Sequence, residues 1–436
     1  MSNRSTVRRL AVAGTALATI VSVGVATAGS AVAAQRPPAV ARHQYAVRQG
    51  PAGHAFYNGP KMLPGGAHGT LIWARRVPAP RGAIAWKVLY KSKDVKARTD
   101  AVSGLVIAPK GKAPKQGRPV VAWAHGTLGG ARSCAPSIPN NPARNLRDYY
   151  TYDDPDFIDV GVPALTTFLK AGYVVTATDY QGLGGPGVHQ YTVGRTEAND
   201  VVDSVKAATQ LPGVDPGKRV VTLGWSQGGG AAIFTGQQAE AAYAKPFNVI
   251  GIAALAPAAN NGPDLTRQVQ SGPTNSIFPY VTAVQQLNLI RGYSAAYGLN
   301  ASTMVTPAGM PVLNALNVEC TVHLGDALQE LNVNVLTLFK HPFPQALVTR
   351  AYQNTAGQQT TVAPVLTMQG TNDAVVNPYG TDEYIQRACQ FKQPIEYTMY
   401  PGATHQTIPF VAMKQYVPWI KARFAGKPAP SNCSSQ

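Results

Sequence analysis

Short uninterrupted apolar runs recur along the chain. Pro119 to Ala124, Tyr173 to Thr178, Val220 to Gly224, Val249 to Leu255, Pro364 to Met368 and Ile395 to Tyr400 each read as a strand buried on both faces. Ahead of them, residues 83–92 and 103–109 are rich in β-branched side chains and bounded by polar turns, which predicts two more strands. Between the runs the apolar period lengthens. Residues 196–210 place Ala198, Val201, Val202 and Val205 on one stripe with Glu197 in the first turn, and Phe410 to Phe424 closes the chain as a second amphipathic helix. Strand and helix in alternation predict the α/β class, a mostly parallel sheet with helices on both faces.

One stretch departs from this rhythm. From residue 257 to residue 358 several helix-like segments (Phe278 to Leu289, Met310 to Leu316, Leu324 to Leu338) follow one another with no strand pattern. Roughly a hundred residues is too long for a loop in a compact domain, so the expectation is an inserted helical cap. The core is then expected as 51–256 and 359–436, on either side of a cap at 257–358.

The N-terminus reads differently again. Arg4, Arg8 and Arg9 precede an uncharged stretch from Leu10 to Ala34 that ends in Ala31-Val32-Ala33, the small-residue pattern at which signal peptidase cuts. The stretch is long enough to span a bilayer, but Ala, Gly, Thr and Val outweigh Leu and Phe in it, and an extended linker with Gln35-Arg36-Pro37-Pro38 follows. The expectation is a signal peptide over residues 1–33, a linker over 34–50, and a secreted mature chain cleaved near Ala33, with no integral membrane segment.

Export changes how composition is read. The 436 residues are 45% hydrophobic and 14% charged, which excludes a disordered chain. Losing Arg4, Arg8 and Arg9 lowers the formal charge from +17 to +14. Lys and Arg occur singly or in pairs such as Arg75-Arg76, without long runs or an RNA-binding aromatic signature, so a solvated basic surface is expected rather than nucleic-acid binding. The four cysteines are expected to be oxidised outside the cytoplasm and allow three pairings; Cys389 and Cys433 are closest in sequence, which leaves Cys134 with Cys320. Neither CxxC nor HxxxH occurs, so no metal and no cofactor are expected.

The candidate chemistry lies at strand ends. Gly224-Trp225-Ser226-Gln227-Gly228 fits the G-x-S-x-G nucleophile elbow, with a strand running in and Gly228-Gly229-Gly230-Ala231-Ala232 opening a helix out. A serine needs a base, and the base an orienting acid. His323, His341 and His405 follow Ser226, but the first two fall in the expected cap, whereas His405 lies in a loop after the last strand. Asp373 ends the preceding strand 32 residues earlier, ahead of the alternatives Asp382 and Glu383 in the next helix and Asp179 on an earlier strand. An acyl-transfer oxyanion needs two backbone donors: Gln227, after the nucleophile, and Thr127 in His125-Gly126-Thr127, with Gly126 as competitor. His125 precedes the serine and is expected to brace that loop. Asp179 to Gly184 is expected to wall the site.

Taken together, His125-Gly126-Thr127, Asp179-Tyr180-Gln181-Gly182-Leu183-Gly184, Gly224 to Gly228, Gly370-Thr371-Asn372-Asp373 and the late His405 resemble the secretory lipase family, yeast lipase A-like, in a bacterial-type member. The likeness runs over roughly residues 50–436. It implies an α/β-hydrolase fold, an exported serine hydrolase, carboxylic-ester substrates and a cap gating an acyl tunnel. Position by position it implies Ser226, Asp373 and His405 as the triad and the disulfides Cys134–Cys320 and Cys389–Cys433. One departure stands out: lipase A-like members carry an acidic residue in the oxyanion loop, where this chain has His-Gly-Thr.

The expected function is therefore hydrolysis of esters of apolar acyl groups, lipase or carboxylesterase, at a lipid–water interface or in solution. A Leu/Val/Phe-rich cover would make a dry pocket suited to such chains. Alternatives on the same triad are a short-acyl or aromatic-acid esterase, an acyltransferase and an aminopeptidase. A non-catalytic binding scaffold is the alternative from another class.

Overall fold

The computed structural model describes residues 47–148, 161–240, 243–267 and 278–433; the signal-peptide expectation and most of the linker lie outside the described residues. Nine strands form one sheet: β1 (Leu71–Val77), β2 (Ala83–Lys93), β3 (Thr99–Pro109), β4 (Arg118–Ala124), β5 (Val174–Thr178), β6 (Pro216–Trp225), β7 (Asn248–Leu255), β8 (Val365–Gly370) and β9 (Ile395–Tyr400). Their order is β1-β2-β3-β5-β4-β6-β7-β8-β9. The first three pair antiparallel with one another, β3 pairs antiparallel with β5, and β5 through β9 are parallel.

Among the described residues, twelve α-helices connect them: α1 (Pro142–Asp148), α2 (Leu165–Lys170), α3 (Gly194–Ala208), α4 (Gln227–Glu240), α5 (Asn261–Arg267), α6 (Phe278–Tyr297), α7 (Gly309–Ala315), α8 (Thr321–Glu330), α9 (Gln345–Gln353), α10 (Pro378–Cys389), α11 (Ile408–Val411) and α12 (Met413–Phe424). The strands carry apolar residues on both faces because both faces are covered. On one, Val121, Trp123, Leu223 and Leu366 pack with Leu165 and Phe168 of α2 and Tyr416, Trp419 and Ile420 of α12. On the other, Val120, Ala122 and Val220 meet Val201 and Val205 of α3, while Ile252 and Val365 meet Ile233 of α4 and Tyr384 and Ile385 of α10. The fold is the α/β class with a mostly parallel sheet expected from the alternation, in the α/β-hydrolase form that the resemblance implies.

Between β7 and β8 the described residues form α5 to α9 and two short 3-10 turns, with no strand beyond isolated bridges. These helices have an apolar cluster of their own, with Leu287, Ile290, Tyr293, Leu316 and Leu347 fully buried, and it reaches down to Tyr191 and Val193 ahead of α3.

Three local expectations need correction. Leu324 to Leu338 is not one helix: α8 ends at Glu330, Asn332 takes a left-handed φ of 47°, and Asn334 caps a separate 3-10 turn through Leu336 N. The closing helix begins earlier and divides into α11 and α12. The pair Arg75-Arg76 belongs to β1, a strand the pattern did not predict; Arg76 lies over the Trp86 ring and Arg75 donates to the Gly50 carbonyl.

Candidate active site

The site is assembled at the carboxyl ends of β6, β8 and β9. As β6 turns into α4, Ser226 takes a left-handed φ of 59°. The turn is tight enough that a Cβ at Gly224 would collide with the Gly228 carbonyl, and one at Gly228 with the Ala124 carbonyl. Glycine at both positions is a packing requirement of the elbow. The turn is held by Ser226 N donating to Leu255 O (2.9 Å) and Ala258 N donating to Ser226 O (2.9 Å).

His405 Nε2 lies 2.9 Å from Ser226 Oγ, and His405 Nδ1 lies 2.8 Å from Asp373 Oδ2. Asp373 is saturated: Oδ1 accepts from the amides of Val375 (2.9 Å) and Val376 (2.8 Å), and Oδ2 also accepts from Gln369 Nε2 (3.0 Å). All three residues are buried. With a carboxylate on Nδ1, the imidazole proton belongs there and the Nε2 lone pair faces the serine, the tautomer a general base requires. Trp225 fixes the histidine loop, its Nε1 donating to His405 O at 2.9 Å with the rings 5.0 Å apart.

The loop after β4 comes to the same place. A Cβ on Gly126 would lie 2.5 Å from the Trp225 ring, so this loop sits directly on the elbow. Thr127 Oγ1 and Tyr191 Oη are hydrogen-bonded at 2.7 Å. Beyond it, Gly129 bridges to Cys320, Thr321 N donates to Leu128 O (2.7 Å), and the Cys134–Cys320 disulfide ties the loop to the start of α8. The second disulfide, Cys389–Cys433, fastens the C-terminus to the end of α10. Among the described residues, the backbone amides of Thr127 and Gln227 have no protein acceptor.

His125 and Asp179 are buried and apart from His405. His125 Nδ1 is 2.7 Å from Gly126 O and Nε2 is 3.3 Å from Asp179 O; burial pushes its pKa down to about 4, so it braces the loop as a neutral ring. Asp179 accepts from Ser103 Oγ (2.5 Å), Ser137 N (3.1 Å) and Ser137 Oγ, and burial raises its pKa to about 6. It anchors the turn that follows β5, and no residue of 179–184 lines the cavity beside Ser226. Of the other acids weighed, Asp382 accepts from Tyr397 Oη and Glu383 pairs with Arg267, both away from the imidazole. His323 lies in α8 and His341 between the following turn and α9, outside the cluster around Ser226.

A cavity of about 60 Å³ opens beside Ser226. Tyr191, Leu265, Leu289, Val375 and Val376 form its apolar wall; Thr192, Asn261, Asp264, Gln285 and Gln286 form its polar one. Beneath it lies a buried polar network that the sequence pattern did not single out. Glu197, read as an ordinary first-turn acid, is only 2% exposed, and its Oε1 accepts from Gln227 Nε2 (2.6 Å) and Thr192 N (2.7 Å). Gln227 Nε2 also lies 2.9 Å from His189 Nε2. The available signal was Glu197's place beside the apolar stripe of α3, where a solvated acid would not sit.

Among the described residues there is no His/Cys/Asp/Glu cluster able to hold a metal, and no helix is long and apolar enough to cross a membrane.

Lipase 6 of Candida albicans is 24% identical over 411 residues, 88% of this chain and 84% of that lipase. Among solved structures, Candida antarctica lipase A superposes with a TM-score of 0.69 at 19% identity, covering 86% of both chains. The rice cell wall degrading esterase LipA from Xanthomonas oryzae does so at 0.63 and 20% identity, covering 82% of this chain and 98% of that one. The sequence model of the secretory lipases matches residues 158–432, well over half of the chain, and the protein therefore belongs to the secretory lipase family, whose members are ester hydrolases.

Proposed function

We propose that this secretory lipase is exported, loses its first 33 residues, and hydrolyses esters of apolar acyl groups through Ser226, His405 and Asp373. The observation that carries the reading is the continuous chain from Ser226 Oγ to His405 Nε2 and from His405 Nδ1 to Asp373, at 2.9 Å and 2.8 Å. In acylation, Ser226 Oγ attacks the ester carbonyl while His405 takes its proton. The oxyanion is met by the amides of Gln227 and Thr127, with Gly126 allowing the loop to approach. His405 then protonates the leaving alcohol. Water, deprotonated by the same histidine, releases the acid and restores the serine. Asp373 keeps the proton on Nδ1 and stabilises the imidazolium throughout.

The helices of residues 257–358 act as a cap. Their apolar cluster supplies Leu265 and Leu289 to the cavity wall, which favours an apolar acyl chain over a charged one.

The test is turnover of p-nitrophenyl esters of increasing chain length, and of a triacylglycerol in solution and as an emulsion, by the wild type and Ser226→Ala. Medium or long chains turned over best, with Ser226→Ala inactive, support the reading. A preference for acetyl esters with no gain on emulsions makes the protein a short-acyl esterase, and an active Ser226→Ala removes the nucleophile assignment.

A further inference from the structure

Glu197 is a buried carboxyl group for which the reaction just described has no use. It stands in the first turn of α3, is 2% exposed, and has no Lys or Arg ion-pair partner among the described residues. The titratable side chains facing it are Tyr191 ahead of α3, Tyr293 on α6 and, across Gln227, His189, whose own charged neighbour is Arg291. Among the described residues its donors, Thr192 N and Gln227 Nε2, are neutral amides.

The tautomer of His189 fixes the geometry. Its Nδ1 lies 3.0 Å from the carbonyl of Gln181, to which it can only donate, so Nε2 carries a lone pair. Gln227 must then turn its NH2 towards both His189 and Glu197, which leaves Gln227 Oε1 buried with no hydrogen-bond partner among the described residues. A buried amide oxygen without a donor is expensive, about 1–3 kcal/mol. A carboxylate could not relieve it, but a carboxylic acid could. With Oε1 accepting from the Gln227 NH2, the second carboxyl oxygen can carry a proton and donate it to Gln227 Oε1, as acids and amides pair side by side.

We propose that Glu197 is a positioning residue for ester hydrolysis: held as a neutral carboxylic acid, it pairs with the side chain of Gln227 and so orients the backbone N–H that receives the oxyanion. This inference rests on the reading of Ser226 as nucleophile and Gln227 as oxyanion donor. Glu197 also holds the amide of Thr192, a cavity-lining residue in the left-handed region at φ 54°, so one side chain joins the cavity wall to the oxyanion residue. Ionisation would break the pairing and place a negative charge beside the developing oxyanion. The neutral form therefore favours the transition state and the ionised form opposes it. Burial lifts the Glu197 pKa to about 8, with the donors Gln227 and Thr192 pulling the other way, so the acid form prevails at neutral pH.

The experiment is the pH dependence of kcat on a soluble ester, per active site titrated with a phosphonate, for the wild type, Glu197→Gln, Glu197→Ala and Gln227→Met. The wild type is expected to lose activity on an alkaline limb centred near 8. Glu197→Gln, which keeps a neutral amide in place, is expected to stay within about threefold of wild type at neutral pH and to lack that limb, whereas Glu197→Ala loses about tenfold or more in kcat with KM little changed. Gln227→Met removes both the donor to the ionised carboxylate and the acceptor for the acid's proton, and is expected to shift the limb. An identical limb in wild type and Glu197→Gln overturns the proposal, as does an unmoved limb in Gln227→Met if Glu197→Gln does not fold. An active Ser226→Ala would instead remove the underlying reading. Activity that depends on Ser226 but is indifferent to Glu197 removes only this inference.

Discussion

Replacing Asp373 by Asn exchanges one oxygen for an NH2 group, and the surroundings decide which way it turns. Two donors, the amides of Val375 and Val376, are fixed in the backbone and must meet an oxygen. The NH2 is then turned towards His405 Nδ1, 2.8 Å from the atom it replaces. Facing a donor, the imidazole must present a lone pair at Nδ1 and carry its proton on Nε2, the nitrogen 2.9 Å from Ser226 Oγ. A base with its proton already on that side cannot accept another. The new NH2 also faces the Gln369 NH2, 3.0 Å away, whose reversal is opposed by Thr381 Oγ1 donating to Gln369 Oε1 at 2.9 Å. Loss of the productive tautomer lowers kcat by about 10⁴, or about 5 kcal/mol of transition-state stabilisation. The assay is kcat on a p-nitrophenyl ester with thermal unfolding of the same sample. A folded Asp373→Asn retaining more than about a tenth of wild-type kcat refutes the orienting role.

Other outcomes follow from particular contacts. Gly126→Ala drives a methyl group into the Trp225 ring and displaces the Thr127 amide, so kcat is expected to fall about 10–100-fold with KM little changed, measured by steady-state kinetics. Removing Cys134–Cys320 with a double alanine substitution reopens a loop of 186 residues and is expected to lower stability by about 3–5 kcal/mol in denaturant unfolding; a change within error would mean the cap is held by packing alone. Burial raises the pKa of Asp179 to about 6 and of Glu197 to about 8, so the fold prefers both protonated. That stability is complete below their unfolded values near 4 and is lost as pH rises through about 6 for Asp179 and about 8 for Glu197. Thermal unfolding against pH should therefore show Tm falling from mildly acid to alkaline solution, with the upper part of the fall flattened in Glu197→Gln.

The sequence exposed what depends on local order along the chain. Ser226 was legible because a strand, two closely packed glycines and a helix N-terminus are consecutive, and His405 and Asp373 because each follows a parallel strand whose apolar run is continuous. Glu197, His189 and Gln369 were not legible as partners of the site. Glu197 and His189 act through contacts to Gln227 across 30 and 38 residues, which no periodicity encodes, Gln369 meets Asp373 only through the turn that ends β8, and a first-turn glutamate looks the same whether it faces water or Gln227. The strand β1 escaped because Ala74, Arg75 and Arg76 interrupt its apolar run, and its arginines are held by Trp86 and Gly50, which only the fold brings near. The break after α8 depends on Asn332 adopting a left-handed conformation, a choice made by packing rather than by the apolar stripe.

The central claim is that Ser226 is the nucleophile of an ester hydrolase. Its most direct test is the intact mass of the protein after reaction with an alkyl fluorophosphonate, followed by peptide mapping. The account predicts one adduct per chain, on Ser226, formed in step with the loss of ester hydrolysis and absent from Ser226→Ala. An adduct on another residue, or full inhibition of a protein that carries no adduct at Ser226, would contradict it.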